Sequence, residues 1–185
     1  RRITLITGNS HKVRDVSSLL GVPIDNLDLE APEIQSFSLK EIALYKAKEA
    51  YRHIKSGLIL TEDAGLRFHA FDKLPGPFIK WFYKKLHNEG LVRLLKGFVD
   101  RRASAEVCFC LYDGKEPKFF EARTGGEIAR IPKGGQGFGW DAIFIPNGSR
   151  KTWGQMTTEE KNKNNMRSIA IQELKEHLKK IGYLE

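Results

Sequence analysis

Residues 3–20, ITLITGNSHKVRDVSSLL, decide the fold class. The β-branched run at 3–7 reads as a strand that stops at Gly8-Asn9, and Val13, Val16, Leu19 and Leu20 then recur at helical spacing until Gly21. A strand, a tight turn and an amphipathic helix in so short a span open an α/β domain. Beyond Gly21, 24–29 reads as a second strand, followed by a loop at Pro32. A helix over Leu39–Ile54 then carries Leu39, Ile42, Ala43, Ala47, Ala50 and Ile54 on one stripe, with Lys46 at its edge. Gly57 stops that helix. Residues 58–61 form a buried strand, and Glu62-Asp63 is placed at its end, where adjacent acids favour a metal.

Farther along, Leu74-Pro75-Gly76-Pro77 interrupts the chain before an aromatic helix at 78–86 and a shorter one at 91–95. Residues 103–111 and 119–124 form an antiparallel pair around Asp113-Gly114, and 134–139 is a glycine-rich loop. The last helix opens with a capping box, Thr157 with Glu160, and continues with apolar contacts at Ile171, Leu174, Leu178 and Ile181. Alternating strands and helices followed by antiparallel strands predict a mixed sheet with helices packed on it. A chain of 185 residues with 41% hydrophobic content builds one core, so 1–185 is expected to be a single domain.

A net charge of +8 favours anionic partners without choosing among nucleotide, nucleic acid and membrane surface. Apolar runs such as Leu58-Ile59-Leu60 are too short to span a bilayer and no charged-then-apolar leader opens the sequence, so a soluble, unexported, cytoplasmic protein is expected. Cys108 and Cys110 sit two apart in a strand-like run and read as reduced core thiols. The histidines are scattered without zinc spacing, which leaves carboxylates to hold any metal.

Thr7-Gly8-Asn9-Ser10-His11-Lys12 follows a strand and opens a helix, so backbone N–H groups and a lysine converge where a phosphate would bind. It lacks the Walker A pattern, and by itself a generic turn explains it equally well. The ordered series is more telling: this segment, then Pro32-Glu33-Ile34-Gln35, Thr61-Glu62-Asp63-Ala64-Gly65-Leu66, Leu74-Pro75-Gly76-Pro77, Phe138-Gly139-Trp140-Asp141 and Glu160-Lys161-Asn162. Together these segments resemble the inosine triphosphate pyrophosphatase family over nearly the whole chain, and 74–81 resembles its eukaryotic branch.

The resemblance implies an elongated mixed β-sheet flanked by helices, two lobes around a nucleotide cleft, and a homodimer. It also implies hydrolysis of ITP, dITP and XTP to the monophosphate and pyrophosphate. By matching motif, Thr7, Gly8, Asn9, Ser10, His11 and Lys12 line the triphosphate, with Lys46, Asp63, Ala64 and Lys80 as further contacts. Glu33, Glu62 and Asp63 hold magnesium, with manganese as the alternative ion. Phe138, Gly139, Trp140, Asp141, Lys161, Met166 and Arg167 receive the base, and Asp63, Glu62 and Lys12 are the catalytic set.

These residue types suit that chemistry. A polyphosphate needs cations and a metal held by few carboxylates, and an acid beside the metal activates water. Phe138 stacks on a purine, Arg167 donates to its 6-oxo oxygen and Asp141 accepts from a ring N–H, so adenine, with an amino donor at that position, is rejected. Two departures from the family pattern stand out. Met166 replaces the usual histidine before Arg167, removing one base contact and predicting weaker discrimination, and Ala142 replaces a proline. The alternatives are a related pyrophosphatase with altered base preference, through Met166 or for pyrimidine or modified nucleotides, and a basic nucleic-acid module using Lys161, Lys163, Lys175, Lys179 and Lys180. A charged helix is more often a solvated face, and no RNA- or DNA-binding motif accompanies it, so no stable nucleic-acid or membrane partner is expected.

Overall fold

The computed structural model describes residues 2–29 and 32–185. Strand β1 (Ile3–Ile6) leads through helix α1 (Ser10–Leu20) to β2 (Asp25–Leu27), and α2 (Leu39–Ile54) leads to β3 (Leu58–Phe68). β4 (Pro75–Gly76), α3 (Ile79–Leu94), β5 (Arg102–Tyr112), β6 (Pro117–Ile128) and β7 (Phe144–Pro146) follow, and α4 (Thr158–Asn162) and α5 (Met166–Lys180) close the chain. The seven strands form one mixed sheet in the order β2-β1-β3-β5-β6-β7, with β4 paired to β3. β1 runs parallel to both β2 and β3, as strands joined through crossover helices must, whereas β3–β4 and β6–β7 are antiparallel.

The chain divides into two compact units. The first comprises the chain up to Asp63, Val107–Ala122 and Arg167–Glu185; the second comprises Ala64–Glu106 and Arg123–Met166.

In the first unit the alanine stripe of α2 explains the packing. Ala43, Ala47 and Ala50 are fully buried against Ile59, Cys108 and Cys110, with Ile6 and Leu39 completing the cluster. Small side chains let a helix lie close to a sheet, so residues at the stripe's edge reach the strands. Cys108 and Cys110 are free, buried thiols, and burial pushes both up to about 12, so neither is a nucleophile at neutral pH. On α5, Ile171, Leu174 and Leu178 are buried.

The second unit contains a helical run, α3, broken at His87, whose φ of 55° and ψ of −174° separate its aromatic first part from its shorter second part. Arg101 ties the end of that run to β6 by donating to the carbonyls of Leu95, Ile128 and Ala129 at 3.1, 2.9 and 2.7 Å. Among the described residues, no helix is long and apolar enough to cross a membrane.

Three expectations are corrected. Glu62-Asp63 is not at a strand end, because β3 continues to Phe68; residues 64–68 find a partner in β4, with Leu66 opposite Gly76 and Arg67 opposite Pro75. The final helix is two helices: the Thr157–Glu160 box caps the short α4, and 163–165 separate it from α5. Ile181 lies beyond α5 and is exposed, outside the apolar stripe.

Gly126 in β6 faces Pro146 in β7, and a Cβ there would fall 2.2 Å from the carbonyl oxygen of Ile145. The nearest atoms are that backbone carbonyl and, at 2.8 Å, Cζ of the fully buried Phe144 ring, and neither is free to yield. Gly126→Ala is therefore expected to lower unfolding stability by about 2 kcal/mol in urea titrations, and an unchanged midpoint would contradict this packing.

Candidate functional site

Successive side chains of a strand leave on opposite faces, so the adjacent acids of β3 cannot share one environment. Asp63 faces α2. Its Oδ1 accepts from Lys46 Nζ at 3.0 Å, and the same ammonium lies 3.1 Å from Glu33 Oε1. Thr61, two residues earlier and on that same face, donates to the carbonyl of Ala43 at 2.7 Å and fixes the strand against the helix. Lys46 thus leaves the edge of the α2 stripe with only 15% of its side chain exposed and is held by two carboxylates.

Glu62 faces the other way and is almost wholly buried, its side chain 2% exposed. Arg167, from the first turn of α5, donates Nε to Glu62 Oε2 at 2.7 Å and Nη2 to Oε1 at 3.1 Å. Lys12, from the first turn of α1, approaches Oε1 at 3.1 Å. Asp15, one helical turn after Lys12, accepts from Arg167 Nη1 at 3.1 Å.

The electrostatics follow from these contacts. Burial alone pushes the Glu62 carboxyl up, but the positive charges of Arg167 and then Lys12 outweigh it and hold the group at about 2. Burial raises Asp63 against the pull of Lys46 and Lys12. Burial also acts to lower Lys46, yet Asp63 and Glu33 overcome it and keep the ammonium charged, above its ordinary value.

The turn between β1 and α1 is built as a helix cap. Asn9 Oδ1 accepts from the backbone N–H groups of His11 and Lys12, and the Asn9 N–H donates to Thr7 Oγ1 at 3.1 Å. Gly8 and Ser10 are exposed there, and His11 Nδ1 meets Arg14 Nη2 at 2.9 Å. The cap directs Lys12 onto Glu62.

In the second unit, Phe138, Gly139, Trp140, Asp141 and Lys161 come together. Asp141 Oδ2 accepts from the Phe138 N–H at 3.0 Å and from Lys161 Nζ at 2.7 Å, and the Lys161 ammonium lies 5.3 Å from the centre of the Phe138 ring. Gly137 makes this loop feasible, since its φ is +73° and a Cβ would stand 2.0 Å from Asp141 Oδ2. Asn88, just after the break in α3, donates to the Gly139 carbonyl at 3.1 Å. Lys80 lies on α3 with its Nζ 5.4 Å from the Trp81 ring centre, Ala64 is half-buried in β3, and Met166 is buried at the start of α5.

Two participants escaped the sequence reading. Asp15 carries no motif, although its place one turn after Lys12 on a capped helix was a usable signal. Trp153 is fully buried, its ring centre 5.6 Å from Lys161 Nζ and 6.0 Å from the Trp140 ring. Nothing in Thr152-Trp153-Gly154 announces that stack.

Among the described residues, no group of three His, Cys, Asp or Glu side chains is disposed to hold a metal ion. Glu33 and Asp63 nevertheless converge on one cation, and two hard carboxylates with positions left for phosphate and water suit a magnesium-type ion. Glu62, on the opposite face, does not join them.

Residues 3–177 match the Ham1 family. The chain is 43% identical to inosine triphosphate pyrophosphatase 2 of Trypanosoma cruzi, covering 95% of this chain and 91% of that protein. It is 44% identical to inosine triphosphate pyrophosphatase of Aspergillus fumigatus, covering 96% and 94%. Among solved structures, the Staphylococcus aureus Ham1 protein superposes with a TM-score of 0.84 at 25% identity, covering 97% and 98%.

Glu62 makes acid stability a direct readout of its network. Its folded value lies below the ordinary 4.5, so its contribution is complete above that pH and is lost as pH falls from there through about 2. A shift of that size corresponds to roughly 3 kcal/mol. Urea midpoints followed from neutral pH to about pH 3 should fall more steeply for the wild type than for Glu62→Gln, which has nothing to titrate; parallel curves would contradict the assignment.

Proposed function

The chain belongs to the Ham1 family, and from that premise we propose that it hydrolyses ITP, dITP and XTP to the monophosphate and pyrophosphate, clearing deaminated purines from the nucleotide pool. The observation that carries the chemistry is the convergence of Glu33 and Asp63 on Lys46. On the α2 face of β3 the Lys46 ammonium meets the carboxylates of Glu33 and Asp63, so these three groups hold one negative charge in excess. A triphosphate would be repelled by it. One divalent ion reverses the sign, which is the physical case for a metal-dependent enzyme.

Glu33 and Asp63 are the ligands in this proposal. Bound Mg2+, or Mn2+ in its place, neutralises the polyphosphate and polarises a phosphoryl oxygen. Lys46 keeps the two carboxylates together, and Lys12, with the Thr7–Lys12 turn and Lys80, takes phosphate oxygens. Asp63, raised by burial, accepts the proton of the attacking water. A water–phosphorus bond forms at the α-phosphate as the bond to pyrophosphate breaks, and pyrophosphate leaves.

Phe138 and Trp140 supply aromatic surface for the purine, with Arg167 donating to its 6-oxo oxygen. The Phe138 N–H and the Lys161 ammonium donate to Asp141 Oδ2, and Oδ1 is the acceptor assigned to the ring N–H. We read 1–185 as one such domain, a homodimer in the cytoplasm with no stable nucleic-acid partner.

Pyrophosphate release from ITP, XTP, GTP, ATP and pyrimidine triphosphates, with magnesium or with chelator, tests this reading. ITP and XTP should be preferred and the activity should vanish with chelator. Asp63→Asn should lose about a hundredfold or more in kcat while keeping its fold. A pyrimidine preference, or release that persists in chelator, would refute it.

A further inference from the structure

We propose that Glu62, one residue from the metal-side acid Asp63, is a positioning residue rather than a metal ligand: its buried carboxylate holds Lys12 and Arg167 in one fixed relation. This rests on the reading that Lys12 binds phosphate and Arg167 the purine.

Three observations carry it. Strand alternation sends Glu62 to the face opposite Asp63, Lys46 and Glu33, and an ion with bonds of about 2 Å cannot join carboxylates on the two sides of a strand. Both Glu62 oxygens are also engaged, Oε2 by Arg167 Nε and Oε1 by Arg167 Nη2 and Lys12 Nζ. The forked guanidinium geometry fixes the plane of Arg167, and the third contact fixes the ammonium of Lys12 against it. Finally, the Glu62 side chain is 2% exposed and that of Arg167 is 6% exposed, so water cannot substitute for either partner. A metal at Glu62 would displace Lys12 or strip Arg167 of its buried carboxylate, leaving it only the more exposed Asp15, which is unfavourable.

The two cations come from different helices, Lys12 from α1 and Arg167 from α5, and Glu62 on β3 is the carboxylate they share. Asp15 adds a second, more exposed hold on Arg167 Nη1. Coupling through one carboxylate has a specific consequence: loosening Glu62 disturbs phosphate affinity and base preference together and leaves metal affinity alone.

The test uses the full chain. Glu62→Gln should raise KM for ITP about tenfold or more and lower the ITP-to-ATP ratio of kcat/KM, with rescue of neither by added magnesium. Mn2+ affinity, read from the free-ion electron paramagnetic resonance signal without nucleotide, should match the wild type in Glu62→Gln and fall in Glu33→Gln. A purely structural role would lower thermal stability while leaving KM and base preference unchanged in the folded fraction, and that outcome would overturn the proposal. So would a fall in Mn2+ affinity for Glu62→Gln equal to that of Glu33→Gln. Should Glu62→Gln not fold, Asp15→Asn decides: it should lower the ITP-to-ATP ratio at unchanged Mn2+ affinity, and an unaltered ratio overturns the proposal. A wild type that releases no pyrophosphate from any purine defeats the activity reading instead, a result distinct from all of these.

Discussion

The alternation of side chains along β3 is the constraint on which the candidate site depends. Because Glu62 and Asp63 are consecutive in a continuous strand, one acid faces α2 and the other faces Lys12 and Arg167. Each acid is paired with a different cation, Asp63 with Lys46 and Glu62 with Arg167 and Lys12, and the two carboxyls are driven apart in behaviour. Glu62 is held ionised by two cations, while burial raises Asp63 despite Lys46. Pairs of acids separated in this way are a recurring means of giving neighbouring carboxylates different tasks.

Packing makes that separation durable. The alanine stripe lays α2 against the sheet, Thr61 bonds the Ala43 carbonyl, and Lys46 therefore meets Asp63 from a rigid helix instead of a mobile surface position. Buried ion networks are weak contributors to stability, since desolvation offsets much of their attraction. Their worth here lies in geometry: Lys46, Glu62 and Arg167 are each pinned by two partners. The second unit follows the same logic on a smaller scale, where Gly137 allows Asp141 to brace the Phe138 N–H and Lys161 at once.

Much of the fold was legible because it rests on local periodicity. The 3.6-residue stripe of Leu39–Ile54 delimited α2, and the i, i+2 spacing of Cys108 and Cys110 marked both as core thiols, which the structure packs against α2. Where pairing partners come from elsewhere in the chain, sequence was silent. Nothing in Ala64 to Phe68 announces that β4 will extend β3, so Glu62-Asp63 looked terminal and its two acids looked like one site. The short α4 was hidden for a related reason: its capping box is a true helix start, but 163–165 carries no glycine or proline to mark the stop. Asp15 and Trp153 were missed because their partners, Arg167 and Lys161, are distant in sequence or lie on another element.

The proposed chemistry requires a divalent ion on the α2 face of β3, apart from the Lys12–Glu62–Arg167 network. Anomalous diffraction from crystals grown with Mn2+ and a non-hydrolysable ITP analogue reads this directly. The predicted result is an ion peak at the carboxylates of Glu33 and Asp63, with Glu62 still bound to Lys12 and Arg167. A peak at the Glu62 carboxylate, with Arg167 displaced from it, would contradict this placement.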